Sequence, residues 1–256
     1  MARIGFIGTG EIAGHMVRGL AGRGHEIRVS ERSRAVSTAL AAEFPEVSVA
    51  ENAAVVAQSD VVFLCLMARI VPDILPGLPW RADHAVISVM TDVTLDELCR
   101  LCAPARDIAL TIPLAPISGG GCPLPVYPES PALEAVFGDR NPILPVRSEA
   151  SLSAHFAVAG TLAPILLLMA EVSAWLARET GDATAADAYV ASLFGGFLRP
   201  DGAPEQFQRL LTSLSTEGGL NATLRARFED AGVPDLLRTG MDSLRPRLGL
   251  PPAAPG

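Results

Sequence analysis

The stretch Ile4-Gly5-Phe6-Ile7-Gly8-Thr9-Gly10-Glu11-Ile12-Ala13 decides the fold of the N-terminal half of the chain. A short apolar strand passes directly into a Gly-x-Gly-x-x-Ala turn, and His15 to Ala21 has the pattern of a helix. In a dinucleotide-binding turn, Gly8 would allow the sharp turn, Gly10 would let the backbone approach a pyrophosphate, and Ala13 would keep the helix close to the sheet. The free N–H groups of the first helical turn would then face the phosphates. The alternative is an ordinary tight turn in a domain that binds nothing.

The second predicted strand, His25 to Ser30, bears on which dinucleotide would bind. It ends at Glu31, the position where such sites place an acid that accepts a hydrogen bond from the ribose 2′-hydroxyl, which favours NADH. Arg32, Ser33 and Arg34 follow immediately and would bind a 2′-phosphate, which favours NADPH. We expect NADPH, with NADH possible, on the supposition that Glu31 points away.

Strands and helices alternate along the first half of the chain, which predicts a parallel sheet. Val61 to Leu66 is apolar on both faces, as expected of a central strand, and it ends at the carboxyl edge where ligands bind in such sheets. The residues that follow a predicted strand at Ala85 to Val89 would lie at the same edge of the sheet. Together these segments give the predicted cofactor-binding residues Gly8, Thr9, Gly10, Glu11, Ile12, Ala13, Glu31, Arg32, Ser33, Leu66, Met67, Ala68 and Met90.

The pattern changes after the middle of the chain. Pro113 to Pro131 is rich in proline and glycine and reads as a loop, either a site wall or a plain surface connection. From about residue 150 only helices are predicted, beginning with a long apolar helix at Ala157 to Thr180, and a proline-rich tail covers Leu250 to Gly256. We therefore predict an α/β fold with a Rossmann-type sheet domain over residues 1–152 and an all-helical dimerisation and substrate domain over residues 153–256. The small, apolar helical domain predicts a homodimer.

Composition excludes several classes of protein. Of 256 residues, 49% are apolar and 19% are charged, which is ample for a packed core, and the net charge of −8 argues against a nucleic-acid surface. The longest apolar run, Ala157 to Ala170, is shorter than the roughly 18 to 20 residues of a membrane helix and carries Pro164. No signal peptide fits, so we expect a cytoplasmic protein without membrane contact. Cys99 and Cys102 lie in a helical pattern without a second ligand pair, so no metal site is expected.

All 20 basic residues are arginine. The absence of lysine excludes a Schiff base, a lysine general acid and a Walker lysine. The four histidines also lack a pattern that marks a catalytic residue.

The order of motifs resembles the pyrroline-5-carboxylate reductase family over most of the chain. The segments that carry the resemblance are Ile4 to Ala13, Asp60 to Ala68 with Ile87-Ser88-Val89 and Val93 to Leu98, Leu110 to Pro116, Val158 to Ala163, Glu171, and Thr216-Glu217-Gly218-Gly219-Leu220-Asn221. The absent lysine separates the chain from 3-hydroxyacid dehydrogenases, which share this type of N-terminus and use a catalytic lysine.

The resemblance implies an NAD(P)H-dependent reductase of a cyclic imine, as in the reduction of 1-pyrroline-5-carboxylate to proline. A protonated imine already carries positive charge at C=N, so hydride transfer needs mainly positioning and exclusion of water. Thr161 stands where the family has a serine and is the candidate catalytic residue that would hydrogen-bond the imine nitrogen; the alternative is a helix threonine bonded to its own backbone. The substrate-binding residues implied in the same way are Pro113, Leu114, Thr161, Gly218, Gly219, Leu220 and Asn221.

The chain departs from the family where the substrate would bind. Leu220 and Asn221 replace a pair of threonines, and Leu114 replaces an asparagine. Loss of these donors would leave a substrate carboxylate underbonded, at a cost of about 1 to 3 kcal/mol or more. Two alternatives to proline synthesis follow: reduction of a different, more apolar imine or ketone, and a dinucleotide-binding sensor without catalysis.

Overall fold

A computed structural model describes residues 1–253, so the last three residues of the predicted proline-rich tail lie outside the described part. The chain divides into two compact units. The first contains Met1–Phe156 and Arg247–Leu250, and the second consists mainly of Ala157–Pro246. The domain boundary that the sequence predicts after residue 152 stays a prediction.

The first unit is built on an eight-stranded sheet. Its strands are β1 (Arg3–Ile7), β2 (Glu26–Ser30), β3 (Val47–Ala50), β4 (Val61–Leu64), β5 (Ala85–Ser88), β6 (Asp107–Thr111), β7 (Leu124–Tyr127) and β8 (Ile143–Pro145). Their order is β3-β2-β1-β4-β5-β6-β7-β8. Because β1 and β4 are neighbours, the chain winds outward in both directions from them, which creates the crevice where α/β sheets bind ligands. The predicted α/β class with an N-terminal Rossmann-type sheet is confirmed.

Helices and aromatic packing fix the sheet. The helices of this part are α1 (Glu11–Leu20), α2 (Arg34–Glu43), α3 (Asn52–Ala57), α4 (Val71–Ile74), α5 (Leu95–Leu101), α6 (Pro131–Phe137) and α7 (Glu149–Ala159). Every residue of β4 and β5 is buried, so both faces of the central sheet are covered. Phe63 stacks on Phe6 with ring centroids 5.0 Å apart and meets Phe137 edge-on at 5.8 Å. Thr94 caps α5, since its hydroxyl accepts a hydrogen bond from the Glu97 N–H at 3.2 Å.

The predicted loop at Pro113 to Pro131 was wrong in part. It contains a short 3₁₀ turn at Ala115–Ser118 and strand β7, which runs antiparallel to β6 in an otherwise parallel sheet. The strand has four residues, and Pro125 within it has no N–H, so the usual strand signal is weak. The Pro125 carbonyl accepts a hydrogen bond from the Thr111 hydroxyl at 2.8 Å, which ties the two strands together.

The second unit contains helices and no strand among its described residues. These helices are α8 (Leu162–Thr180), α9 (Ala183–Phe197), α10 (Gln206–Ser213), α11 (Leu220–Asp230) and α12 (Val233–Asp242). The helix predicted from Ala157 to Thr180 is interrupted at Gly160 and Thr161. Pro164 has no N–H to donate to the Gly160 carbonyl four residues earlier, and its ring crowds that carbonyl.

Apolar side chains of the second unit are unusually exposed. Only Ser173 of α8 is buried, while Leu166, Leu167 and Trp175 are 59%, 62% and 56% exposed. The helical stretch Glu149–Thr180 spans 32 residues with a mean hydropathy of 1.8 in its most apolar window, of which 11% is buried. By length and composition alone this stretch could cross a membrane. The sequence predicted no membrane helix, because its longest apolar run is short and contains Pro164. The same length, mean hydropathy and low burial are also typical of an apolar helix that is covered by another chain.

Candidate dinucleotide-binding site

Gly8 directly follows β1, and no larger residue fits its backbone conformation and its surroundings. Its φ of +92° lies in the region that favours glycine, and a Cβ atom built on it would stand 2.4 Å from the Cys65 carbonyl oxygen. The backbone after β1 therefore touches the backbone after β4. This contact gives the predicted tight turn its physical cause.

Gly10 has the opposite surroundings. It is the N-cap residue of α1, and a Cβ built on it would meet no atom within 4 Å. The open space lies where the first N–H groups of α1 have no partner within the helix, which is the position a phosphate occupies in such turns. Ala13 is fully buried and keeps α1 against the sheet, as the motif predicts.

Buried hydroxyl groups tie the glycine turn to the end of β2. The Gly8 N–H donates to the Ser30 hydroxyl at 2.8 Å, and the Thr9 hydroxyl donates to the Ser30 carbonyl at 2.7 Å. The two hydroxyl oxygens are 3.2 Å apart. Thr9 and Ser30 are 1% and 0% exposed, so these bonds are shielded from water.

Three segments surround a cavity of about 160 Å³ at the carboxyl edge of β1, β2 and β4. Its lining residues are Gly8, Thr9, Gly10, Arg32, Ser33, Cys65, Leu66, Met67 and Ile70. The structure thus brings seven of the predicted cofactor-binding residues together. The other predicted residues, which do not line the cavity, are Glu11, Ile12, Ala13, Glu31, Ala68 and Met90.

Two lining residues were missed from the sequence. Cys65 directly follows the buried strand β4, and its position at the carboxyl edge was the signal that could have identified it. Ile70 belongs to the 3₁₀ turn Ala68–Ile70, for which the sequence offered no turn signal. Burial raises the pKa of the Cys65 thiol to about 12, so this cysteine is a wall of the cavity and not a nucleophile.

The segment after β2 presents positive charge to the cavity. Arg32 lines it, whereas Glu31 does not, and both side chains are exposed. Among residues 1–253, neither Arg32 nor Arg34 takes part in an ion pair. Ser33 has a left-handed φ of +69° and is the N-cap residue of α2. Its carbonyl accepts a hydrogen bond from the Val36 N–H at 2.8 Å. This is the arrangement that would receive a 2′-phosphate.

The predicted substrate residues of the first unit are part of its packing. Pro113 is buried, and Leu114 is half-buried against the hydrophobic core. The Leu114 carbonyl accepts from the Ile117 N–H at 2.9 Å and closes the Ala115–Ser118 turn. Leu114 offers no hydrogen-bond donor from its side chain.

In the second unit, Thr161 lies at an apolar cavity of about 540 Å³ between α8 and α12. Its hydroxyl donates to the Val158 carbonyl at 2.7 Å, the self-bonded arrangement that was the alternative to a catalytic role. Gly218 has a φ of +70° and Gly219 is the N-cap residue of α11. Leu220, the first residue of that helix, is 91% exposed, and Asn221 beside it is exposed as well.

Comparisons with known proteins agree with this architecture. A sequence model of the family described as "NADP oxidoreductase coenzyme F420-dependent" matches residues 3–92, which contain the glycine turn and the cavity. No curated protein sequence matches the chain.

Solved structures identify the fold over nearly the whole chain. The 1-pyrroline-5-carboxylate reductase of Streptococcus pyogenes is 19% identical, with a TM-score of 0.78 over 97% of this chain and 99% of that chain. The pyrroline carboxylate reductase of Plasmodium falciparum, solved with NADP bound, is 12% identical, with a TM-score of 0.82 over 97% of each chain. A reductive aminase from Aspergillus terreus, solved with NADPH and ethyl levulinate, is 18% identical, with a TM-score of 0.61 over 85% of this chain and 78% of that one. The resemblance predicted from the motifs is confirmed at the level of the fold.

Proposed function

We propose that this protein is an NADPH-dependent reductase that transfers hydride to the C=N bond of an imine. The observation that carries the proposal is the cavity at the β1–β4 crevice, with open space above Gly10 and Arg32 on its wall. The solved structures with NADP or NADPH bound that share the fold support the same cofactor.

The residues present fit that cofactor. The turn from Gly8 to Glu11 would bind the pyrophosphate through backbone N–H groups, and Arg32, Ser33 and Arg34 would hold the 2′-phosphate. Leu66 and Met67 would cover the dinucleotide with apolar surface and exclude water. When bound, the cofactor supplies the hydride, so the chain itself needs mainly to position the substrate.

Thr161 is the proposed hydrogen-bonding partner of the imine nitrogen. Its hydroxyl bond to the Val158 carbonyl is local, and rotation about χ1 would release it for a substrate. A protonated imine needs no further acid, which agrees with the absence of lysine from the chain.

The substrate class follows from the apolar side chains. Leu220 and Leu114 stand where the resembled family has hydroxyl and amide groups, so a substrate without a carboxylate would leave fewer groups unpaired. We therefore propose a cyclic imine, with 1-pyrroline-5-carboxylate as one candidate, and a different, more apolar imine or a ketone as the alternative substrate.

We also propose that two copies of the chain associate through the second unit. Its buried apolar residues are few and small, namely Ala157, Ala186 and Val190, whereas α8 alone exposes Leu166, Leu167 and Trp175. Monomers rarely expose apolar patches of this extent. The cytoplasmic location stays a prediction.

Oxidation of NADPH and NADH by a panel of imines and ketones tests the proposal. We expect a higher kcat/KM with NADPH, and we expect Arg32→Ala to reduce this preference while Arg106→Ala, an exposed arginine after α5, leaves it unchanged. Turnover with 1-pyrroline-5-carboxylate would support the first substrate, and turnover only with other compounds the second. Tight cofactor binding without turnover would indicate a sensor instead, and a strong preference for NADH would contradict the role of the arginines.

A further inference from the structure

The hydrogen bonds of Thr9 and Ser30 have a single consistent direction. The Ser30 hydroxyl accepts from the Gly8 N–H, and the Thr9 hydroxyl gives its only hydrogen to the Ser30 carbonyl. The remaining hydrogen, on the Ser30 hydroxyl, can then be donated to the Thr9 hydroxyl oxygen 3.2 Å away. All three donors are used in one closed network.

This network leaves no hydroxyl hydrogen for a phosphate. Both side chains are also buried, so neither reaches the cavity through its hydroxyl group. The Thr9 hydroxyl therefore does not bind the dinucleotide directly and must serve another purpose.

The purpose follows from what the network connects. On one side is the glycine turn, and on the other is the end of β2, from which the chain passes directly to Arg32 and Ser33. We propose that Thr9 and Ser30 are positioning residues for cofactor selectivity: their bonds fix the span between the turn that holds the pyrophosphate and the segment that holds the 2′-phosphate.

This inference rests on the proposed function. A dinucleotide with a 2′-phosphate engages both segments at once, whereas one without it depends mainly on the turn. Loosening the connection should therefore weaken NADP⁺ more than NAD⁺, because only NADP⁺ needs both segments at a fixed separation.

The test is the ratio of the dissociation constants of NAD⁺ and NADP⁺, measured by calorimetric titration of the full chain. We expect Thr9→Val to lower this ratio about tenfold, which corresponds to about 1.4 kcal/mol. Thr9→Ser keeps the hydroxyl and should keep the ratio. Ser30→Ala breaks the same network from the other side and carries the comparison if Thr9→Val does not fold.

Thr111→Val is the matched control. Thr111 is also 1% exposed, and its hydroxyl also donates to a backbone carbonyl, that of Pro125 at 2.8 Å, but it does not line the cavity. The inference would be overturned if Thr9→Val and Ser30→Ala both kept the wild-type ratio. It would also be overturned if Thr9→Ser lowered the ratio as much as Thr9→Val does. An unchanged ratio in the variants, with NADP⁺ still preferred by the unaltered chain, would overturn the inference alone. Equal binding of both dinucleotides by the unaltered chain would contradict the proposed NADPH preference, and binding of neither would overturn the proposed function.

Discussion

The Cα atom of Gly8 faces the carbonyl oxygen of Cys65 so closely that a Cβ atom would stand 2.4 Å from it. The two residues are far apart in sequence, but the pairing of β1 with β4 brings them together at the carboxyl edge of the sheet. Because the obstacle is a backbone atom, it cannot move aside as a flexible side chain would. The glycine is therefore required by the fold itself, before any ligand binds.

This contact predicts different outcomes for the two glycines of the turn. Gly8→Ala should destabilise the chain by about 1 to 3 kcal/mol or more, since the clash adds to the strain of a positive φ. Gly10→Ala should leave the free energy of unfolding within about 1 kcal/mol, because its Cβ points into open space, yet it should weaken NADPH binding. Denaturant unfolding and calorimetric titration measure the two effects.

Gly77→Ala is the control for this pair, since its Cβ also meets no atom within 4 Å and it does not line the cavity. It should change neither quantity. Unaltered NADPH affinity in Gly10→Ala would contradict the assignment of this turn to the pyrophosphate.

The cysteines should differ sharply in reactivity. Cys99 is exposed, whereas burial raises the pKa of the Cys65 and Cys102 thiols to about 12 and raises that of Cys122. A disulfide reagent at mildly alkaline pH should modify one thiol per native chain quickly and all four after unfolding. Cys99→Ser should abolish the fast phase, and a second fast thiol would contradict the raised pKa of the other three thiols.

Stability should fall as the solution becomes acidic. His84 is fully buried, its Nδ1 accepts from the Arg81 N–H at 3.0 Å, and its Nε2 has no partner among the described residues. Burial lowers its pKa from the ordinary 6.5, and Arg81 lowers it further against the opposing effects of Asp83, the Ser59 backbone and Asp60. The unfolded chain therefore binds more protons below pH 6.5, and the free energy of unfolding decreases as the pH falls from there toward the lowered pKa.

His84→Asn, whose amide oxygen can accept from the Arg81 N–H, should flatten this dependence in denaturant unfolding at several pH values. His25, whose pKa is also lowered by burial, should keep a residual slope. His155→Asn alters an exposed imidazole and serves as the control. An unchanged slope in His84→Asn would rule out this histidine as the source.

Light scattering at micromolar concentration should give twice the chain mass of 26.8 kDa. Leu166→Glu places a charge on the exposed apolar surface of α8 and should shift the mass toward that of the monomer. Val49→Glu adds the same charge at an exposed residue of β3 and should not. A monomer in the unaltered chain would refute the proposed association, and solubility only in detergent would indicate a membrane segment.

Thr161→Val should lower kcat about a hundredfold if its hydroxyl bonds the imine nitrogen, while Thr161→Ser should keep most of the activity. Thr180→Val is a suitable control, because Thr180 also donates to a carbonyl of its own helix, that of Leu176 at 2.8 Å. Equal activity in Thr161→Val and the unaltered chain would leave Thr161 a purely structural residue. Steady-state rates with the best substrate of the panel decide this.

Local signals made the first half of the fold predictable. The strand and turn at Ile4 to Ala13 and the apolar run of β4 each depend on residues close in sequence. The same signals placed seven residues at the cavity, because the carboxyl ends of parallel strands share one edge.

The remainder depended on contacts between distant segments. Strand β7 is short, contains Pro125 and is defined by its pairing with β6, which no local pattern reveals. The sequence alone does not show that Arg32 and not Glu31 lines the cavity, nor that Ser33, a non-glycine residue, takes a positive φ. The break in the helix at Gly160 is the exception, since it is local, and Pro164 four residues later was the signal that could have predicted it.

The exposed apolar surface of α8 has a consequence for expression of this protein. If two chains associate through this unit, as proposed, the second chain stabilises it by mass action, and the melting temperature should rise with protein concentration. In a newly made chain, aggregation would then compete with assembly, and synthesis at low concentration would lower the yield of folded protein. Co-expression of an inactive variant should reduce the activity of wild-type chains, since mixed assemblies form through a surface that the variant still carries.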